Sequence, residues 1–255
     1  MVPARTGGCD GLGRGYPGLD MWVFPLAAAV VALGFAIALG RRFLERRRPY
    51  LAAWTISLAM YAAASLAVAA GALFGWNRSL FEVYWIFGAV LNVPLLAAGE
   101  VQLLARGRLV APVTWIVLLF IAAYTIAVTR GAAVHAIALA EQLPSGKEVF
   151  GDGTPAHRLP QLISIPSYLV LIAGAAWSAW QMRGRRELRD RFTGTLLIAA
   201  GATITAAAGS TFAALGNLPA FSISLLAGVG VMFLGFLRAT RVRPEPVTRE
   251  PATSD

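Results

Sequence analysis

The sequence predicts an all-α, polytopic membrane protein of seven transmembrane helices, with its amino terminus outside and its carboxyl terminus cytoplasmic. Three observations carry this. Apolar residues make up 57% of the 255 residues and charged residues 14%, far from the usage of water-soluble domains. Seven apolar stretches, near 22–40, 51–74, 80–104, 109–129, 161–181, 193–215 and 219–237, are each about 19 to 25 residues long, enough to cross a hydrocarbon core of about 30 Å. Basic residues collect after alternate stretches, the pattern that encodes orientation.

Residues 1–20, MVPARTGGCDGLGRGYPGLD, are Gly-rich and lack apolar periodicity, so they read as a disordered leader. Met21 stands directly before the first span and is a second candidate start. The first span is long for the apolar part of a signal peptide and is followed by RRFLERRR, so it is expected to remain as an anchor. Arg106 and Arg108 follow span three, Arg183, Arg185, Arg186, Arg189 and Arg191 follow span five, and Arg238, Arg241, Arg243 and Arg249 follow span seven. The opposite side holds only Arg5, Arg14, Arg78, Arg130, Lys147 and Arg158. Residues 21–241 are thus one transmembrane domain, 130–160 its longest outer loop, and 242–255, with Pro244, Pro246 and Pro251, a disordered cytoplasmic tail. Arginine far outnumbers the single Lys147 and alanine is abundant, a bias of GC-rich bacterial genomes. The expected location is the bacterial plasma (inner) membrane.

Several function classes are excluded. A formal net charge of +9 sits in short clusters at span ends, with no basic face interleaved with aromatics, so nucleic acid is not an expected partner. Cys9 is the only cysteine, so the chain has neither an internal disulfide nor a thiolate metal cage. A retinal Schiff base needs a lysine within the bundle, and Lys147 lies in the outer loop. His135 and His157 lie there too, which excludes haem ligation between spans and gives no recognised metal spacing. No HExxH, GxSxG or phosphate-binding loop occurs. No catalytic residue, metal or cofactor is assigned, and the expected partners are the lipid bilayer and a small polar solute.

A weak repeat runs at an offset of about 140 residues, in the parallel manner of some transporters. Pro25 and Pro166 stand early in spans one and five. RRFLERRR and RGRRELRDR correspond, each with an internal acid at Glu45 and Glu187, and Asn77 and Asn217 both end the following span. The implied plan is three helices, a linking helix, and three more. This plan resembles the architecture of SWEET and PQ-loop sugar transporters, and distantly that of opsins. The resemblance covers topology only: LPQL at 159 holds a Pro-Gln pair at the entrance of span five, where a mid-helix motif of that family does not lie.

Span three, with GAVLNVPLLAAGEVQLL at 88–104, carries the polar candidates. Pro25, Pro112, Pro166 and Pro219 fall in the first turn or two of their spans, where a missing N–H costs little. Pro94 lies mid-span, where its ring leaves the Val90 carbonyl without its helical donor, and in lipid that carbonyl needs a hydroxyl, a water or a local change of winding. Asn92 lies near the midplane and must point inward. A spacing of seven sets Trp85, Asn92 and Gly99 along one stripe, with an aromatic above, an amide at mid-depth and a gap below. Glu100 is either half of an ion pair with another helix end or a gate or proton site. Tyr61, Tyr84 and Tyr168 offer hydroxyls, as does span six through Thr203, Thr205, Ser210 and Thr211, although its Gly and Ala content also permits close helix packing. Trp22, Trp76 and Trp180 read as interfacial belt residues.

The first functional expectation is a transporter-like protein with a small polar site formed by Asn92, Pro94, Trp85, Glu100, Tyr61 and Thr205. The alternative is a receptor-like or scaffolding seven-helix protein without transport activity. A continuous void reaching Asn92 favours the first; a filled bundle under a structured outer loop favours the second.

Overall fold

In the computed structural model, residues 22–105, 107–183 and 189–239 are described, with the side chains of 189–191 excepted; the expected leader and tail lie outside this set. Among the described residues no strand occurs, and seven helices are long and apolar enough to cross a membrane: α1 Val23–Arg46, α2 Pro49–Phe74, α3 Arg78–Leu104, α4 Val110–Gly131, α5 Pro155–Met182, α6 Phe192–Ala214 and α7 Leu218–Ala239.

Local chemistry sets the ends of these helices. Arg47 takes a left-handed conformation (φ 50°) and its N–H closes on the Phe43 carbonyl, while Pro49 starts α2, where a missing N–H is harmless. Gly75 (φ 83°) and Gly216 (φ 63°) end α2 and α6 in conformations that a side chain would oppose. Asn77 and Asn217 then cap the next helices, accepting from the N–H groups of Leu80 at 2.9 Å and Ala220 at 3.0 Å. Asn77 and Asn217 therefore do the same local work at the two helix starts.

Span five begins earlier than the apolar run at 161 suggests. Thr154 caps it through the His157 N–H, and Pro155 follows at the first helical position. Pro160 and Pro166 are consequently interior to α5. A π-helical turn, Pro160–Ser164, starts at the first proline and ends before the second, and widens the winding where the ring meets the preceding carbonyl.

The helices pack in a ring in which α1 lies against α2 and α7, α2 against α3, α3 against α5, α5 against α6, and α6 against α7. The linking helix α4 rests outside this ring on α3. Its Ile116, Leu119 and Phe120 are 66%, 67% and 71% exposed, which is stable facing acyl chains and costly facing water. Small residues line the inner seams: Ala28, Ala32 and Ala36 of α1 repeat at a helical spacing and are all buried.

Candidate functional site

Where Pro94 predicts a kink in α3, the structure shows a change of winding. Residues Tyr84–Leu91 form a π-helix and Asn92–Leu104 return to α. The Ser164 hydroxyl of α5 donates to the carbonyls of Ala89 at 2.8 Å and Val90 at 3.1 Å. The carbonyl that Pro94 deprives of its helical donor therefore receives a hydroxyl from the neighbouring helix, as the dry environment requires.

Asn92 is buried and engaged with α2. The Ser57 hydroxyl stands between two acceptors on it, the backbone carbonyl at 3.0 Å and the side-chain Oδ1. One turn further, Trp54 of α2 donates its indole N–H to the Leu96 carbonyl at 3.1 Å, and its ring lies against Gly99, where any Cβ would run into it. The gap anticipated at Gly99 is thus a seat for Trp54. This gives a first prediction. Asn92→Leu removes the Oδ1 acceptor but leaves Ser57 the backbone carbonyl, so thermal unfolding in detergent should show a loss of about 1 kcal/mol. A loss above about 3 kcal/mol would reveal a stronger node than one interhelical bond.

Trp85 sits at the arginine-poor end of the bundle, under a structured cap formed by the residues between α4 and α5. The cap has a short helix, Gly146–Phe150, started by a capping box in which Ser145 and Glu148 satisfy each other's backbone N–H. The His135 N–H binds the Val149 carbonyl at 2.9 Å. Phe150 packs against both Phe81 and Trp85, at 5.5 and 5.6 Å between ring centres. Gly146 lies on the Trp85 ring, and the Trp85 indole donates to the Ala156 carbonyl at 3.3 Å. Trp76, expected in the interfacial belt, is buried and donates to the Gln142 carbonyl at 3.0 Å. At the cap surface Lys147 hydrogen-bonds Asp152 at 3.2 Å and holds its carboxyl below the usual range.

Tyr61 and Thr205 belong to another node. The Tyr61 hydroxyl donates to the Leu225 carbonyl at 2.8 Å with Thr205 beside it, tying α2, α6 and α7, and the Thr205 hydroxyl donates to the Gly201 carbonyl at 3.1 Å. Tyr168 similarly donates to Thr203 at 2.9 Å. The six candidate residues therefore divide among separate places: the cap (Trp85), the kink (Asn92, Pro94), the α2–α6–α7 seam (Tyr61, Thr205) and the region around Glu100.

Glu100 stands apart from these three places. It is 93% buried, and among the described residues no cation lies within 4.0 Å of it and no hydrogen bond reaches its carboxyl. Its side chain passes across Gly174 of α5, where a Cβ would stand 2.5 Å from its Cγ. It opens on a cavity of about 100 Å³ in the arginine-rich half of the bundle, lined by residues of α1, α2, α3, α5, α6 and α7. The wall is hydrocarbon and aromatic, with Phe35, Trp54, Leu58 and Phe236 prominent, apart from Glu100 and the hydroxyl residues Ser178 and Thr195. The Arg42 guanidinium, a potential counter-ion, rests instead on the Phe236 ring at 4.7 Å from its centre. Leu103 separates this cavity from an open cleft of about 840 Å³ at the arginine-rich end, lined by Arg46, Arg48, Tyr50 and Gln102.

Trp54, Ser57, Ser164 and Gly174 are the contributors that sequence reasoning did not single out. The gap at Gly99 was the one legible sign of Trp54. Comparison with protein-family models, with curated proteins and with solved structures yields no match to this chain.

Proposed function

We propose that the chain is a receptor-like protein of the bacterial plasma membrane, its arginine-rich end cytoplasmic, which takes a small ligand into the cavity beside Glu100 and does not carry solute past Asn92. The observation supporting this reading is the location of the cavity. It lies beside Glu100, whereas the polar groups of the kink are satisfied by Ser57 and Ser164, and Trp85 is covered by the cap. The duplicated three-plus-one-plus-three plan is retained in the proposal and draws support from the position of α4 outside the ring. It also accounts for the transporter resemblance without requiring transport, because one architecture serves many activities.

Cysteine accessibility tests the reading. With Cys9 replaced by serine, Ser178→Cys should react with a small cationic methanethiosulfonate from the arginine-rich side only, and Ser57→Cys from neither side. Reaction at position 57 from both sides would establish a path through the kink and restore the transporter reading. Reaction at 178 from the opposite side would reverse the orientation.

A further inference from the structure

We infer that the Glu100 cavity is a binding site for a small organic monoamine, with the ammonium group on the carboxylate and the hydrocarbon body against Trp54, Leu58 and Phe35. This rests on the reading of the cavity as a ligand pocket and supplies the chemical class of its ligand.

The composition of the wall selects the charge. A carboxyl in an apolar enclosure requires a compensating group, and among the described residues none lies within ion-pair distance. A hard inorganic cation needs about six oxygen ligands, whereas this wall provides one carboxylate and the hydroxyls of Ser178 and Thr195. An organic ammonium needs fewer, because its carbon chain gains from the same hydrocarbon surface that would starve a metal ion. Aromatic residues add to the fit, since Trp54 and Phe35 line the wall and aromatic rings attract cations.

The size limits the class further. The cavity is about 100 Å³, smaller than the roughly 150 Å³ apolar cavity that accepts benzene in an unrelated protein. A chain of about four carbons is the natural occupant. Such an amine reaches the site from the arginine-rich side, where Leu103 stands between the cavity and the open cleft. Proton balance is simple: a carboxylic acid and a free amine, or a carboxylate and an ammonium ion, present the same atoms and the same zero net charge.

The test uses the full chain in detergent with n-butylammonium chloride as probe, followed by thermal unfolding and calorimetric titration. Butylammonium should raise the melting temperature saturably, while n-butanol, sodium chloride and the bulkier tetrabutylammonium should not. Glu100→Gln, which keeps the shape and removes the charge, should weaken binding about thirtyfold or more without lowering the stability of the empty protein. Ser178→Leu, which fills the cavity and leaves Glu100 in place, should abolish binding independently. An equal response in Glu100→Gln, or no saturable response in the wild type, would overturn the amine assignment. A destabilised empty Glu100→Gln protein would also overturn it, by showing that an internal cation already meets the carboxyl. If butylammonium fails while Ser178→Cys still reacts from the arginine-rich side, only the ligand class falls and the pocket stands.

Discussion

A single methyl group added at Gly201 should separate α7 from α6 and cost far more stability than the same change at an open glycine such as Gly34. Four glycines make this seam: Gly194 and Gly201 on α6, Gly228 and Gly235 on α7, each pair seven residues apart. Gly201 faces Gly228 and Gly194 faces Gly235, backbone against backbone. A Cβ at Gly201 would lie 2.5 Å from the Gly228 carbonyl oxygen and 2.7 Å from the Met232 nitrogen, and one at Gly194 would lie 2.6 Å from the Gly235 carbonyl oxygen. Side-chain rotation cannot relieve a clash with backbone, so the helices themselves must part. In lipid their association depends on close packing, with little hydrophobic drive to hold them. The expected loss for Gly201→Ala is about 3 kcal/mol or more, measured by thermal unfolding in detergent. Gly34→Ala is the control, because nothing lies within 4 Å of its added methyl and alanine favours a helix by about 1 kcal/mol. Similar melting temperatures for the two variants would show that the seam tolerates separation.

The contrast between this seam and the candidate site explains what the sequence revealed. Spans are legible because the bilayer imposes one rule on every residue of a helix, and a stretch of small residues announces close packing whatever its partner. The glycines of span six were readable in that sense, although the facing pair on α7 was not. The site depends on which helices meet, and that information is long-range. Pro94 announced that the Val90 carbonyl needed a donor, but its supplier, Ser164, is 74 residues away. Glu100 announced a need for a partner, and Arg42, a potential counter-ion at that end of the bundle, stacks on Phe236 instead. Span five shows a different failure. Prolines usually mark helix starts, so Pro166 read as an early residue, and only the π-turn at Pro160–Ser164 shows how the helix accommodates two of them inside.

The second large effect is expected at Phe81, and it comes from water rather than lipid. Phe81 is 1% exposed and is the centre of the aromatic cluster beneath the cap, stacked on Trp85 at 5.8 Å and edge-on to Trp76 at 6.3 Å and Tyr84 at 6.0 Å. Phe150 brings the cap segment to the same ring. This end of the bundle carries the charged groups Arg78, Glu82 and Arg130, with Arg78 paired to Glu82 at 2.7 Å, so an opened cap meets solvent. Burial of its apolar residues is therefore driven by the hydrophobic effect, unlike the helix seams deeper in the membrane. Phe81→Ala removes the ring on which both Trp85 and Phe150 rest, and a buried Phe→Ala change costs about 3 to 5 kcal/mol. Much of that loss should appear as local opening, because Trp85 and Phe150, which join the cap to the bundle, both pack on this ring. Trypsin offers a local readout: Lys147 lies in the cap helix Gly146–Phe150 and is exposed, yet its backbone is helical and pinned beside Trp85. Cleavage after Lys147 should be slow in the wild type and fast in Phe81→Ala, while Gly201→Ala, which acts at the far seam, should leave the cap as resistant as the wild type. Equal cleavage in all three proteins would mean that the cap is held by contacts other than this ring, and the covering of Trp85 would then no longer support the receptor-like reading.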